Sequence, residues 1–250
     1  MRWLLPFLFL ALPAWGESVV LGLSQDEIAI TTSFNGSEIL VFGAVKREEP
    51  LPDGPELEVI VTVSGPSEPV TVRRKDKRLG IWVNTDAVEV DHAPSFYAVA
   101  TSGLLRNVLR DTEDLRYRIS VPRAIRSVGA PMSIADASKF TDALIRIRTE
   151  AEQYQLQENH VVVDEQTLFR GRIKLPAALN EGAYVTRIFL TRSGNVVADY
   201  ETTIDVRKVG LERWLFSLSR EQPFLYGLMS LAIAIMAGWG ASAAFSLLRN

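Results

Sequence analysis

Glu58-Val59-Ile60-Val61-Thr62-Val63, closed by Ser64-Gly65-Pro66, is a short β-branched run between breakers, because Glu49-Pro50-Leu51-Pro52-Asp53-Gly54-Pro55 precedes it. Such a run reads as a strand. Just downstream, Val70-Thr71-Val72 leads into Arg73-Arg74-Lys75-Asp76-Lys77-Arg78, and the chain returns through Leu79-Gly80-Ile81-Trp82-Val83, the pattern of a hairpin. Strands recurring at this spacing with turn signals between them predict a β-sandwich, with Trp82 in mid-strand as part of its core. The acids Asp86, Glu89 and Asp91 around His92 read as a solvated loop. They make a poor metal site, since the other histidine, His160, is far off and no ligand pair has helical or CxxC-like spacing.

On the N-terminal side, Val19 to Leu23 and Glu27 to Thr31 read as strands. Ile28, Ile30 and Phe34 alternate up to Asn35-Gly36, and Ile39 and Val41 alternate away from it, which predicts a type I′ hairpin. Asn35-Gly36-Ser37 also matches a glycosylation acceptor, but the turn accounts for both of its first two residues. On the C-terminal side, Leu104 to Leu109 reads as a short helix and Leu115 to Val121 as a strand. Ser133-Ile134-Ala135-Asp136 has capping-box spacing ahead of a stripe of Phe140, Ala143, Leu144, Ile147, Ala151 and Tyr154, so an amphipathic helix over about 134–157 is expected to dock on a sheet. Leu168 to Leu175, Tyr184 to Leu190 and Val196 to Val206 read as strands, with a turn at Ser193-Gly194-Asn195. The run Asn180-Glu181-Gly182-Ala183-Tyr184 fits a sandwich corner closed by its Tyr.

The two ends supply a topology. Residues 223–248 contain no charged side chain, and at about 1.5 Å per residue a helix of that length exceeds a hydrocarbon core of roughly 30 Å. Arg2 followed by the uncharged run Trp3 to Gly16, with Ala14-Trp15-Gly16 before Glu17, has the outline of a cleaved signal peptide. Export would put residues 17–222 in the periplasm and the C-terminus in the cytoplasm, as a single-pass protein of the inner (plasma) membrane. Arg207, Lys208, Arg213 and Arg220 stand against the usual charge rule, but a translocating domain passes largely regardless of its charge. Leu211, Trp214, Leu215 and Leu218 form an apolar face on a helix suited to the bilayer interface.

Setting Arg2 and Arg249 aside leaves 25 basic residues against 30 acidic ones in the exported segment, a formal charge of −5. That balance disfavours nucleic acid as a partner. With no cysteine, the chain has no disulfide framework, thiolate metal site or thiol catalysis. There is no G-x-S-x-G, H-E-x-x-H or phosphate loop. A pair of carboxylates meeting in space is the one enzymatic arrangement the residues leave open. Neither a cofactor nor a metal is expected, and the enzyme question leans to no. The residues that concentrate chemistry are Arg73, Arg74, Lys75, Lys77 and Arg78, a positive patch fit for an anionic partner. In the span, Ser230, Ala234, Gly238, Ser242 and Ser246 recur every fourth residue as a candidate helix-packing face.

Several strings resemble one family: Leu23-Ser24-Gln25-Asp26, Ile30-Thr31-Thr32-Ser33-Phe34-Asn35-Gly36, Gly65-Pro66 with Pro69-Val70-Thr71-Val72-Arg73-Arg74-Lys75, Gly80-Ile81-Trp82-Val83-Asn84, Pro94-Ser95-Phe96-Tyr97-Ala98-Val99-Ala100, and Tyr226-Gly227 with Gly238-Trp239. From about Leu21 to Phe245 the chain is similar to the alphaproteobacterial putative transmembrane protein family. That resemblance implies a signal peptide, a periplasmic domain and one C-terminal span, with sulfite-exporter-like multispan permeases as chromosomal neighbours; it implies no activity. The expectation is a mainly β protein: signal peptide 1–16, a sandwich-like (Ig-like) module 17–121, a connecting segment with the amphipathic helix 122–160, a second β module 161–207, an interfacial helix 208–222 and a transmembrane helix 223–248. It would be a binding or assembly module partnered by the bilayer and by a multispan membrane protein or a second copy. An anchored periplasmic hydrolase is the alternative.

Overall fold

The structure is a computed structural model that describes residues 18–24, 27–30, 34–46, 54–126, 138–209 and 211–248. In chain order its first strands are β1 (Ser18–Leu23), β2 (Glu27–Ile30), β3 (Ser37–Lys46), β4 (Glu58–Ser64), β5 (Ser67–Arg78), β6 (Ile81–Pro94) and β7 (Tyr97–Thr101). Four helices follow: α1 (Leu105–Val108), α2 (Asp111–Tyr117), α3 (Val121–Ala124) and α4 (Ser138–Glu150). Then come β8 (Tyr154–Gln157), β9 (Val161–Asp164), β10 (Leu168–Leu175), β11 (Gly182–Arg192) and β12 (Asn195–Lys208), and last α5 (Leu211–Glu221) and α6 (Pro223–Leu248).

A four-stranded sheet has the order β1-β3-β10-β9 and a six-stranded sheet the order β2-β12-β11-β4-β7-β8, while β5 and β6 pair only with each other. In β10, Phe169, Gly171, Ile173 and Leu175 are buried and the residues between them are exposed, as the period of a half-buried strand requires. β4 differs, because all five residues from Val59 to Val63 are buried. Ile60 joins Tyr97, Val99 and Phe189 in a core completed by Val90 and Ala93 of β6, by Val108, Leu109, Ile119 and Ile125 of the helical segment, and by Leu144 and Tyr154. Val59, Val61 and Val63 occupy the opposite face, on the side where β9 and β10 approach β4 and β7. Burying each such side chain stabilises by about 1.5–3 kcal/mol, so a chain without cysteines is held by this core.

Polar groups fix the helical segment to the sheet. Tyr97 Oη donates to Ile119 O at 2.8 Å, and Arg187 donates to Tyr117 O at 2.8 Å and Arg118 O at 3.2 Å. Arg118 is left-handed, φ 53°, and Asp114 takes up the amides beyond it, Ile119 N at 3.0 Å and Ser120 N at 2.7 Å. Burial raises the Tyr97 hydroxyl above the usual phenol range, partly offset by the Arg187 charge, and burial does the same at Tyr154 and Tyr184. Tyr184 Oη donates to Asn180 O at 2.9 Å, the corner expected from the sequence.

Several expectations are corrected. Asn35-Gly36 does not close a hairpin, for β2 lies in the six-stranded sheet and β3 in the four-stranded one. Gly36 alone has positive φ, 103°, and a Cβ there would lie 2.7 Å from Leu175 O, so the glycine serves a crossing between sheets. Trp82 is 68% exposed and is no part of the core. The acids around His92 lie on β6 and not in a loop. The segment Leu115 to Val121, expected as a strand, instead ends α2 at Tyr117 and enters α3 at Val121; the first turn of α2 carries Asp111, Glu113 and Asp114 at the favourable end of the helix dipole. α4 stops at Glu150, because Glu152 turns left-handed (φ 56°) and Gln153 N closes on Arg148 O at 2.8 Å; Tyr154, read as the end of the stripe, sits on β8 opposite Tyr97. Of that stripe Phe140 and Leu144 are buried, whereas Ile147 is exposed. The capping-box residues 133–136 and the signal-peptide residues 1–16 lie outside the described residues.

Where two separate β modules were expected, both sheets draw on both segments: Val41 pairs with Gly171, and Val61 with Ile188. α5 and α6 lie in one compact unit and are joined by hydrogen bonds from Gln222 N to Leu218 O and from Tyr226 N to Gln222 O. α6 is apolar on all sides, and Pro223–Ser242 within it is long and apolar enough to cross a membrane.

Candidate functional site: a basic hairpin arm and an apolar helix

β5 and β6 form one long hairpin whose two halves have different surroundings. At its base Val88 and Val90 are buried; beyond Asp86 nearly every side chain is exposed. A register shift between Arg74 and Lys75 marks the division. Such a bulge increases local twist and re-aims the strand beyond it. The outer ladder then pairs Lys75 with Asn84, Asp76 with Val83, Lys77 with Trp82 and Arg78 with Ile81. Because directly opposed residues share a face, Lys75, Lys77 and Trp82 lie on one side of the arm, and Arg78 and Ile81 on the other.

The five basic residues are thus gathered on one strand, but not equally. Arg74 Nη2 lies 2.6 Å from Asp86 Oδ2, its Nε donates to the same oxygen at 2.9 Å, and its guanidinium stands 5.4 Å from the centre of the Phe140 ring. Arg74 therefore ties the arm to α4 and belongs to the scaffold. Arg73, Lys75, Lys77 and Arg78 are exposed and remain as the charge of the arm.

The apex was hidden from sequence reasoning. Leu79 and Gly80 have φ 51° and 86°, both positive as in a type I′ turn, and nothing lies within 4 Å of where a Cβ on Gly80 would be. Leu79, Ile81 and Trp82 are exposed by 105%, 64% and 68%. The signal that could have found this is the lack of any turn former at position 79, where Asn or Asp would relieve the positive φ.

The histidines are not brought into a site. His92 exchanges backbone hydrogen bonds with Arg126, both 3.0 Å, and His160 Nδ1 lies 3.0 Å from Glu158 O. Among the described residues no group of three or more His, Asp and Glu could hold a metal ion.

In α6, Ser230, Ala234, Gly238 and Ser242 are exposed, and the Ser246 side chain lies outside the described residues. Each step of four residues rotates about 40° round a straight helix, so Ser230 and Ser246 stand roughly 160° apart. The row is a winding ridge and not one flat face, and only a crossing helix could follow it. Ser230 Oγ donates to Tyr226 O at 2.9 Å, within its own helix. On α5, Trp214 and Phe216 are exposed, with Arg220 stacked 5.1 Å from the Phe216 ring.

Residues 18–246 match the family model described as "Putative transmembrane protein (Alph_Pro_TM)". The chain belongs to this family. The match takes in the hairpin arm, both sheets and nearly all of α6, so the arm and the helix are parts of one family unit. No curated protein matches the chain. As a member of a transmembrane family with one candidate span, the protein associates with the bilayer.

Proposed function

We propose that this protein is a single-pass component of the inner membrane, with its β domain in the periplasm, its signal peptide removed before Glu17 and its C-terminus in the cytoplasm, and that it works by binding or assembly without catalysis. The observation that carries this reading is the β5–β6 arm, which takes Arg73, Lys75, Lys77 and Arg78 beyond the core on a chain of net charge −3. A domain that needed only to fold would have no use for a two-stranded extension with its own turn. The corner at Tyr184 and the pairing of a four-stranded with a six-stranded sheet support an Ig-like sandwich as the scaffold. Ala234, Gly238 and Ser242 on the span are the contact we assign to a multispan partner or a second copy.

The test is recovery of the full-length protein from its membrane in mild detergent, compared with a chain lacking α6, with the charge reversal Arg73→Glu, Lys75→Glu and Lys77→Glu, and with Ala234→Leu plus Gly238→Leu. The reversal is expected to leave thermal unfolding within about 1 kcal/mol of the parent, since the positions are exposed, while removing salt-sensitive partners. The leucine pair is expected to insert normally and lose helix-mediated association. Identical companions for all four chains would overturn the reading.

A further inference from the structure

We propose that the tip of the β5–β6 hairpin is a membrane-contacting wedge that seats Leu79, Ile81 and Trp82 in the interfacial layer of an anionic bilayer while Lys75, Lys77 and Arg78 pair with its headgroups. This deepens the binding reading above by naming the partner of the arm. The first support is composition at the apex. Three large apolar side chains in four positions, all more than 60% exposed, are grouped with three cations on a tip with nothing packed against Gly80. Scattered apolar surface residues need no explanation, but a contiguous set at an extremity marks a contact.

The second support is conformational. Leu79 holds φ 51°, a region where the Cβ crowds the carbonyl oxygen and where Leu lacks the local hydrogen bonding that eases Asn, so the turn bears strain while presenting an apolar residue. The third is the arrangement of the pairs. Lys77 opposes Trp82, and Arg78 opposes Ile81, so each face of the ribbon has one apolar and one cationic side chain at the same depth. A ribbon entering a bilayer edge-on meets lipid on both faces. Trp favours the headgroup boundary, and Lys or Arg stems can lie along acyl chains with their charges returned to phosphate. A protein pocket would be expected to engage one face, whereas this tip carries an apolar and a cationic side chain on each; with three cations against the single anion Asp76, the net positive charge selects an acidic lipid surface.

The experiment uses the full-length chain in proteoliposomes of phosphatidylcholine with phosphatidylglycerol, or of phosphatidylcholine alone. Because the chain has no cysteine, Leu79→Cys gives a single attachment point for a nitroxide, with Glu68→Cys at the exposed base of β5 as reference. The expected result is a label at 79 open to dissolved oxygen and shielded from an aqueous relaxation agent in the anionic bilayer, a label at 68 that stays aqueous, and loss of the difference without phosphatidylglycerol.

Leu79→Asn separates strain from contact: it is expected to unfold at a higher temperature than the parent, since Asn tolerates positive φ, yet to weaken binding of the tip to added anionic vesicles about tenfold. Reversing Lys75, Lys77 and Arg78 is expected to weaken that binding by about a hundredfold or more, at roughly 1 kcal/mol per cation. An aqueous label at 79 in every bilayer, with the protein folded, would overturn the proposal. So would a photocrosslinker at 79 that reacts with a protein and never with lipid, an outcome that would leave the binding-module reading in place.

Discussion

Tyr97 shows how a single hydroxyl joins a sheet to the helices above it. Its ring is buried in the core shared with Ile119, and its Oη donates to Ile119 O while Arg187 Nη2 stands 3.4 Å away. Burial raises its pKa, and likewise those of Tyr154 and Tyr184. The folded state therefore holds these protons more tightly than the unfolded chain, so their contribution is complete below the ordinary phenol pKa of about 10 and is lost as pH rises from there through the folded values. Thermal unfolding followed by circular dichroism should give a midpoint that does not respond to these groups at neutral pH and falls steeply in alkali. Tyr97→Phe should lower stability by about 1 kcal/mol at pH 7 through the lost hydrogen bond, and should flatten part of the alkaline fall. An alkaline slope equal to the parent's would show that Tyr97 ionises in the folded protein without cost.

Among the elements, α4 is the one whose docking is easiest to isolate. Phe140 and Leu144 are its buried side chains, Arg148 donates to Pro94 O, and Tyr154 Oη reaches the same carbonyl at 2.9 Å. Leu144→Ala should cost about 2–4 kcal/mol in chemical denaturation, whereas Ile147→Ala, at an exposed position of the same helix, should cost well under 1 kcal/mol. Equal losses would mean that the helix docks by a different face.

The sequence stripe placed these two residues on one line because helical spacing is local. It could not tell that Tyr154 would keep the same inward direction from a strand. The same distinction accounts for the Asn35-Gly36 reading. Alternation reveals that a strand has one buried face, but not which strand it pairs with, and two half-buried strands on either side of a glycine look alike whether they share a sheet or not. Ser193-Gly194, with φ 48° and 79° at the β11–β12 turn, was legible because pairing there is between neighbours. The basic arm was visible as a charge run. Its apolar tip was not, since a Trp between Ile and Val is the pattern of a core until the fold shows that the hairpin outruns the core.

For the molecule as a whole, the testable claim is orientation. A reporter active only outside the cytoplasm, fused after Ile204 with all preceding residues retained, should be active, and proteolysis of spheroplasts should remove the β domain. Protection of that domain would reverse the topology. N-terminal sequencing should begin at Glu17, and Met1 in its place would mean a second anchor. The candidate span was readable from residues 223–248 because an unbroken apolar surface is a matter of composition, and a helix satisfies its own backbone groups.

The interleaving of early and late strands has a consequence for biosynthesis. Val41 has Leu23 of β1 on one side and Val61 has Ala100 of β7, but the second edge of each strand must wait for Gly171 and Ile188. At a translation rate of roughly 5–20 residues per second, the edges of β3 and β4 stay bare for about ten seconds, longer than hairpins or helices take to form. Bare edges of this kind can pair with one another, so chains still lacking β10 and β11 are the form most open to aggregation. Yield should then follow the supply of chaperones that shield unpaired strands until β10 and β11 arrive.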